Sequence, residues 1–285
     1  MEVLIASSTE EICELLAEDH NRQLLAGGTD FMVEINYRHR EPSSVIAIDR
    51  VPALQNWRHD GDSVVIGSCV TYREIERGPL ATLVPALAQA ARTVGSPQIR
   101  NAGTIGGNIG TASPAGDMFP VLSALGATIA LTSSEGQRNV SLEDLITGVK
   151  QTSLNRGEFI ESIRIPVLEG PQEFLKVGAR SAMVISVASL ALVTYPNTQS
   201  VGIGLGAVNP VPTRASEAEQ FIVDYLDWER MQVDPSGLDH FQDLISTASS
   251  PIDDHRGLAA YRRHSVGVLG RRALTRVFSL GESNE

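Results

Sequence analysis

Cysteine is almost missing from this sequence: Cys13 and Cys69 are its only thiols in 285 residues. Two thiols cannot make a four-ligand structural zinc site or hold an iron–sulfur cluster. They also exclude a disulfide framework as the main stabiliser, and read as two reduced thiols in a cytoplasmic protein. Positive charge is scarce too. Lys and Arg number 23 against 34 Asp and Glu, for a net charge of −11. Nucleic-acid binding is dominated by phosphate neutralisation on a basic face, so this balance argues against it. A phosphorylated ligand would have to be met mostly by backbone N–H groups and local dipoles. Long apolar runs are missing as well. Val184 to Val193, interrupted by Ser186 and Ser189, falls well short of the ~20 residues that span a bilayer, and reads as a buried strand. Met1 to Ile5 carries no basic segment followed by an apolar one, so no signal peptide is read there. The P-loop, H-E-x-x-H and G-x-S-x-G patterns do not occur. The six histidines (His20, His39, His59, His240, His255, His264) show no metal-ligand spacing, and His255 and His264 read as solvated.

What is present suits a globular protein. Apolar residues make up 42% and charged residues 20%, so the chain can bury one large core or two to three small ones. Ser8 and Glu11 have capping-box spacing before Ile12, Leu15 and Leu16, which predicts a helix from Thr9. Short strands are predicted at Gln23–Leu25 and Val45–Ile48, making a small α/β unit that ends near residue 55. Val64–Gly67 reads as a strand, Thr71 and Glu74 as a second capping box, and Pro85 as the start of a helix to Val94. Strands are predicted at Ala127–Leu131 and Glu158–Ile165. From residue 172 three strands follow (Phe174–Val177, Val184–Val193, Val201–Val208), then helices at Ala215–Leu226, Gly237–Ala248 and Gly257–Phe278. Strands and helices in separate runs imply an α+β C-terminal domain.

Three glycine-rich segments are candidates for chemistry. Ala26-Gly27-Gly28-Thr29-Asp30 follows a strand. Its glycines let the backbone turn sharply and present successive N–H groups to an anion, with the Thr29 hydroxyl beside them; a plain tight turn accounts for the same residues. Gly103-Thr104-Ile105-Gly106-Gly107-Asn108-Ile109-Gly110 holds four glycines in eight residues, which excludes a regular helix. Its isoleucines argue against a flexible linker, and Asn108 brings an amide donor and acceptor. Asp117, where a helix should begin, is either a cap or an acceptor for ligand hydroxyls. Gly202-Ile203-Gly204-Leu205-Gly206-Ala207 matches a loose dinucleotide fingerprint, but Asn209-Pro210-Val211-Pro212 forbids the helix that motif needs, so it reads as strand and turn.

The first two loops carry a resemblance that covers nearly the whole chain. Leu24–Asp30 and, more specifically, Gly95-Ser96-Pro97-Gln98-Ile99-Arg100-Asn101-Ala102 running on through Ile109 and Ser113–Asp117, resemble the medium, flavin-binding subunit of the xanthine dehydrogenase and carbon monoxide dehydrogenase family. Lys176–Arg180, Asp254-His255-Arg256 and Tyr261-Arg262-Arg263 resemble that family's C-terminal domain. The resemblance implies an α+β chain: a vanillyl-alcohol-oxidase (PCMH-type) FAD-binding domain over 1–170, made of two α/β subdomains (about 1–55 and 56–170), and a C-terminal domain over 171–285 with a three-stranded sheet and helices. It implies FAD as the cofactor in this chain. The pyrophosphate would be held by Ala26, Gly27, Gly28, Thr29, Asp30 and Phe31 and by Thr104, Ile105, Gly106, Gly107 and Asn108, with Thr111 close by. Asp117 would bind FAD hydroxyls, and Ile160 and Lys176 would lie beside the isoalloxazine ring, where a cation stabilises a reduced flavin.

No residue is singled out as catalytic and none as a metal ligand. Molybdenum-pterin and two [2Fe-2S] clusters are implied on partners, a large and a small subunit, in a dimer of heterotrimers that passes electrons through this FAD to an external acceptor. The alternative is a stand-alone FAD-dependent oxidoreductase of the same superfamily, for which Cys69 is the nearest candidate for covalent attachment. The N-terminus departs from the family pattern, being short and poor in aromatic residues.

Overall fold

The computed structural model describes residues 1–281. It begins with a parallel three-stranded sheet of β1 (Glu2–Ile5), β2 (Gln23–Leu25) and β3 (Ser44–Ala47), with β3 in the centre. The Thr9–Glu18 helix crosses between β1 and β2 and buries Ile12, Cys13 and Leu16. Half of the expected capping box forms at its start. Ser8 Oγ accepts from the Glu11 N–H at 3.2 Å, but the Glu11 carboxylate reaches the Ser7 N–H at 2.7 Å.

The second unit is an antiparallel sheet in the order β4-β5-β10-β6-β7. Its strands are β4 (Trp57–Asp60), β5 (Ser63–Gly67), β6 (Thr128–Ser133), β7 (Gly136–Ser141) and, after a small hairpin of β8 (Ile146–Gly148) and β9 (Gln151–Thr152), β10 (Phe159–Pro166). The two edge strands were not legible, because Trp57-Arg58-His59-Asp60 and Gly136–Ser141 are mostly exposed and lack apolar alternation. Gly61, at φ +62°, makes the β4–β5 turn. Both halves of the Thr71–Glu74 capping box are present. The Pro85–Thr93 helix and the Met118–Ala124 helix bury Leu87, Ala91, Val121 and Leu122 against Ile129, Ile163 and Ile165 of the sheet.

The C-terminal sheet runs β11 (Gln172–Val177), β12 (Ala188–Tyr195), β13 (Ser200–Gly206) and β14 (Thr213–Arg214), all antiparallel. It is thus four-stranded where three strands were expected, the addition being two residues long. Helices Ser216–Ile222, Leu238–Thr247 and Ala259–Val277 cover one face, with Leu190, Leu192, Ile203, Phe241, Ile245 and Leu274 in that core. Strand β12 starts four residues later than predicted. Met183 has φ +50°, and the Ser186 hydroxyl is drawn to Asp117, so Val184–Val187 leave the strand and form a loop.

Gly202, Gly204 and Gly206 face the Met118–Ala124 helix. A Cβ on Gly202 would lie 2.3 Å from the Ala124 carbonyl oxygen, and one on Gly204 would lie 1.9 Å from that of Pro120. This glycine stripe is a seat for a helix, which docks the C-terminal sheet on the second unit. Nearby, Arg262 is buried and pairs with Asp254, which also binds Arg256 at 2.7 Å. The Arg256 guanidinium, then Arg262, hold the Asp254 carboxyl well below the usual carboxylate range. Among the described residues no helix is long and apolar enough to cross a membrane.

Candidate functional site

A cleft of about 850 Å³ opens where the three units meet. Its first wall is the turn after β2. Gly28 has φ +69°, which a side chain would strain. Gly27 lies so close to the next segment that a Cβ there would stand 1.7 Å from the Ala102 carbonyl oxygen. Among the described residues, the N–H groups of Gly27, Gly28, Thr29 and Asp30 find no protein acceptor. Ala26, Gly27, Gly28, Thr29, Asp30 and Phe31 all line the cleft. Four successive uncommitted donors beside a left-handed glycine form a concavity suited to an anion.

The second wall corrects the sequence reading. Ile105–Thr111 is an α-helix despite its glycines. Each glycine costs about 1 kcal/mol of helix propensity, and tertiary contacts override that cost. Thr104 Oγ1 caps the helix by accepting from the Gly107 N–H at 3.0 Å. The Gly106 N–H donates to the Ser68 carbonyl at 2.9 Å, and a Cβ on Gly106 would fall 2.4 Å from Ser68 Cβ. Ile105 and Ile109 are fully buried. Ile105 therefore turns its side chain into the core rather than the cleft, and its N–H is taken by the Val70 carbonyl at 3.1 Å. Thr104, Gly106, Gly107, Asn108 and Thr111 do line the cleft. The Thr111 hydroxyl meets Asp30 Oδ2 at 3.5 Å and ties the two walls together.

Gly110 was not anticipated. It is exposed on the cleft side of this helix, and the nearest atom to a Cβ there would be Ile160 Cδ1 at 3.8 Å. No protein atom demands glycine at this position; a bound group filling the cleft would. Ile160 is buried and also lines the cleft.

At the far end, Asp117 begins the Met118–Ala124 helix but makes no side-chain capping bond. Its carboxylate accepts from Lys176 Nζ at 2.6 Å, from Thr93 Oγ1 at 3.4 Å and from Ser186 Oγ. Lys176 is thus not a free cation at the cleft surface. It lies behind Asp117, outside the cleft wall, with both side chains under a tenth exposed. Both Asp117 oxygens accept within the protein, yet Asp117 lines the cleft and its Oδ1, which accepts only from Ser186, keeps an acceptor site for a ligand hydroxyl. Val184 and Ile185, from the loop before β12, complete this end. Neither was anticipated, because that segment read as strand.

Orphaned polar groups concentrate here. Among the described residues seven buried side-chain polar atoms lack a hydrogen-bond partner, and four belong to the cleft wall: Arg22 Nε, Gln23 Oε1, Ser68 Oγ and Asn108 Oδ1. Each unmet buried group costs about 1–3 kcal/mol, so a polar ligand in the cleft would recover free energy. Tyr72 is buried in the same wall, and burial pushes its phenol up from the ordinary value of 10.0. Cys69 is a poor candidate for covalent attachment. It is buried, lies outside the cleft wall, and desolvation pushes its thiol up to about 11. Among the described residues no group of three or more His, Cys, Asp or Glu side chains is placed to hold a metal ion.

The chain matches the family model "FAD binding domain in molybdopterin dehydrogenase" over residues 1–168, and "CO dehydrogenase flavoprotein C-terminal domain" over residues 173–277. It is 33% identical to the glyceraldehyde dehydrogenase medium chain of Sulfolobus acidocaldarius, covering 95% of this chain and 96% of that protein. It is 31% identical to the carbon monoxide dehydrogenase medium chain of Afipia carboxidovorans, over 88% and 87%. Its fold superposes on the solved carbon monoxide dehydrogenase from Oligotropha carboxidovorans with a TM-score of 0.87, at 29% identity, over 97% of each chain.

Proposed function

The chain belongs to the FAD-binding family of molybdopterin dehydrogenases, and on that premise we propose that it relays electrons from iron–sulfur clusters of a partner subunit, through FAD, to an external acceptor. FAD is the family's cofactor, and relatives such as nicotine 6-hydroxylase are named as medium subunits of larger enzymes. The partners proposed here are a small iron–sulfur subunit and a large molybdenum-pterin subunit, assembled as a dimer of heterotrimers in the cytoplasm. This chain's two buried cysteines cannot hold the clusters, which agrees with that division of labour.

The observation that carries the reading is the run of uncommitted N–H groups from Gly27 to Asp30. They suit a pyrophosphate through backbone donors, and of the basic side chains on the cleft wall Arg40 and Lys150 are already paired with Glu34. Asn108 Oδ1, Ser68 Oγ and Gln23 Oε1 need partners, and a dinucleotide supplies them along its length. When bound, FAD supplies two-electron redox chemistry; this chain's residues bind it, orient it and tune its charge. The ring is assigned to the end formed by Val94, Ile99, Val184 and Ile185, which is apolar, and the adenosine to the polar end formed by His20, Arg22 and Gln23.

The test is anaerobic. The isolated, FAD-loaded chain should be reduced by dithionite and stay oxidised with purines, N-heteroaromatics and aldehydes. Adding the iron–sulfur and molybdenum subunits should restore substrate-dependent bleaching. Bleaching of the isolated chain by any of those substrates at a catalytic rate would replace this reading with a stand-alone enzyme.

A further inference from the structure

The Asp117–Lys176 pair sits where the second unit meets the C-terminal sheet, and a third residue completes it. Ser186 is 0% exposed and donates its hydroxyl to Asp117 Oδ1, while Lys176 Nζ takes Oδ2 at 2.6 Å. Lys176 also donates to the Thr93 carbonyl at 3.4 Å. Lys176 comes from β11, Asp117 from the start of the Met118–Ala124 helix, and Ser186 from the loop that brings Val184 and Ile185 into the cleft. A buried cation and a buried carboxylate in contact largely cancel. The charge left for a neighbouring group depends on how the carboxylate is held.

Resting on the assignment of the ring to this end of the cleft, we infer that Ser186 is a positioning residue for electron transfer: its hydroxyl holds the Asp117 carboxylate against Lys176 and thereby sets the charge that the pair presents to FAD. Two electrons from dithionite or from the iron–sulfur partner, with one proton from water, leave one negative charge on the reduced ring. A more negative pair disfavours that state and a more positive pair favours it. The Ser186 hydroxyl dipole offsets part of the carboxylate charge. Removing it makes the pair more negative, and it acts only through Asp117.

The experiment measures the reduced-to-oxidised ratio of bound FAD against a reference dye during anaerobic dithionite titration of the FAD-loaded full chain. A unit charge changed within about 10 Å at an effective dielectric constant of about 20 shifts such an equilibrium by about tenfold. For two electrons that is about 30 mV. Asp117→Asn should raise the ratio by about that factor, and Lys176→Gln should lower it similarly. Ser186→Ala should lower it by about threefold, Ser186→Thr should restore it, and Ser186→Ala placed on Asp117→Asn should change nothing further. A Ser186→Ala shift that persists without the carboxylate overturns the inference, because Ser186 would then act by another route. So does an unchanged ratio in Ser186→Ala while Asp117→Asn and Lys176→Gln both shift it. An unchanged ratio in Asp117→Asn and Lys176→Gln alike, with FAD bound, instead removes the assignment of the ring to this end and the inference with it. Should Asp117→Asn release FAD, the Ala and Thr variants of Ser186 decide: no difference between them overturns the inference.

Discussion

The two glycine-rich regions look alike in sequence and do opposite jobs. Gly202, Gly204 and Gly206 alternate along β13 and turn bare backbone toward a helix, with protein atoms closer than 3 Å to where each Cβ would stand. Gly28 and Gly110 border the cleft, and no protein atom comes within 3 Å of a Cβ at either. The first set is glycine because the protein fills the space. In the second, backbone conformation requires glycine at Gly28, and at Gly110 no protein atom requires it, which leaves room for a bound group. Gly27 and Gly106 lie between these cases: they line the cleft, yet Ala102 and Ser68 already require them to be glycine. A glycine-rich motif is therefore not a ligand signature until the neighbours of each missing Cβ are known.

The sharpest way to break this contrast is at β13. Gly204→Val should destabilise the chain by about 3 kcal/mol or more, because its branched side chain would overlap the Pro120 backbone. Urea unfolding monitored by circular dichroism checks it. Unchanged stability would mean that the helix does not sit on the stripe. At the cleft the same kind of change should do the reverse. Gly110→Leu should leave the fold as stable or raise its stability by up to about 1 kcal/mol, since leucine is the better helix former. It should nevertheless abolish FAD retention, read from the flavin absorbance of the purified protein. Stoichiometric FAD in that variant would show that Gly110 does not face the cofactor.

Sequence reasoning reached the architecture well and the site unevenly, for physical reasons. Helices and central strands were legible where apolar periodicity or caps marked them, as at Thr9–Glu18, Thr71–Glu74 and β5. Edge strands β4 and β7 were not, because exposed polar strands carry no alternation and depend on their neighbours. The loop residues that line the cleft were found from local pattern, whereas the Ile105–Thr111 helix was excluded because propensity cannot see Ser68 and Val70 supporting it. Ser68, Tyr72, Val184 and Ile185 had no local signal. Pairing of Asp117 with Lys176 and Ser186 spans 59 and 69 residues and could not be read from spacing. The Gly110 position, by contrast, stands in the same glycine-rich motif, one helical turn beyond Gly106, and differs from it in the neighbour of its missing Cβ: Ser68 crowds Gly106, while the nearest atom at Gly110 is 3.8 Å away.

Smaller effects separate binding from stability within the second unit. The Arg138 guanidinium beside Glu158, with Asn155, lowers the Glu158 carboxyl to about 2. A folded value below the unfolded one, about 4.3, contributes stability that is full above the unfolded value and is lost as pH falls through the folded one. Wild type should therefore lose about 1 kcal/mol from this pair between roughly pH 4.5 and 2, after discounting for the partly exposed arginine. Arg138→Leu should be less stable at neutral pH and show a flatter acid limb in urea titrations. A parallel limb would mean that the pair does not form in solution. Smallest is Thr104→Ala, which removes the cap on the Gly107 N–H and should cost about 1 kcal/mol. It should lower the melting temperature in both the FAD-free and FAD-loaded protein; a change confined to the loaded form would make Thr104 a ligand contact alone.

Backbone N–H groups of the Gly27–Asp30 turn are proposed as the holders of the FAD pyrophosphate. Titration calorimetry of the FAD-free chain with FAD and with riboflavin, each at low and high salt, tests this claim most directly. Neutral–anion hydrogen bonds to several donors should make FAD at least about a hundredfold tighter than riboflavin, each being worth about 1.5–3 kcal/mol. Because the donors are backbone N–H groups rather than Lys or Arg side chains, that advantage should fall only slightly with salt. Equal affinity for the two flavins would contradict the claim, and so would a pyrophosphate advantage that disappears at high salt.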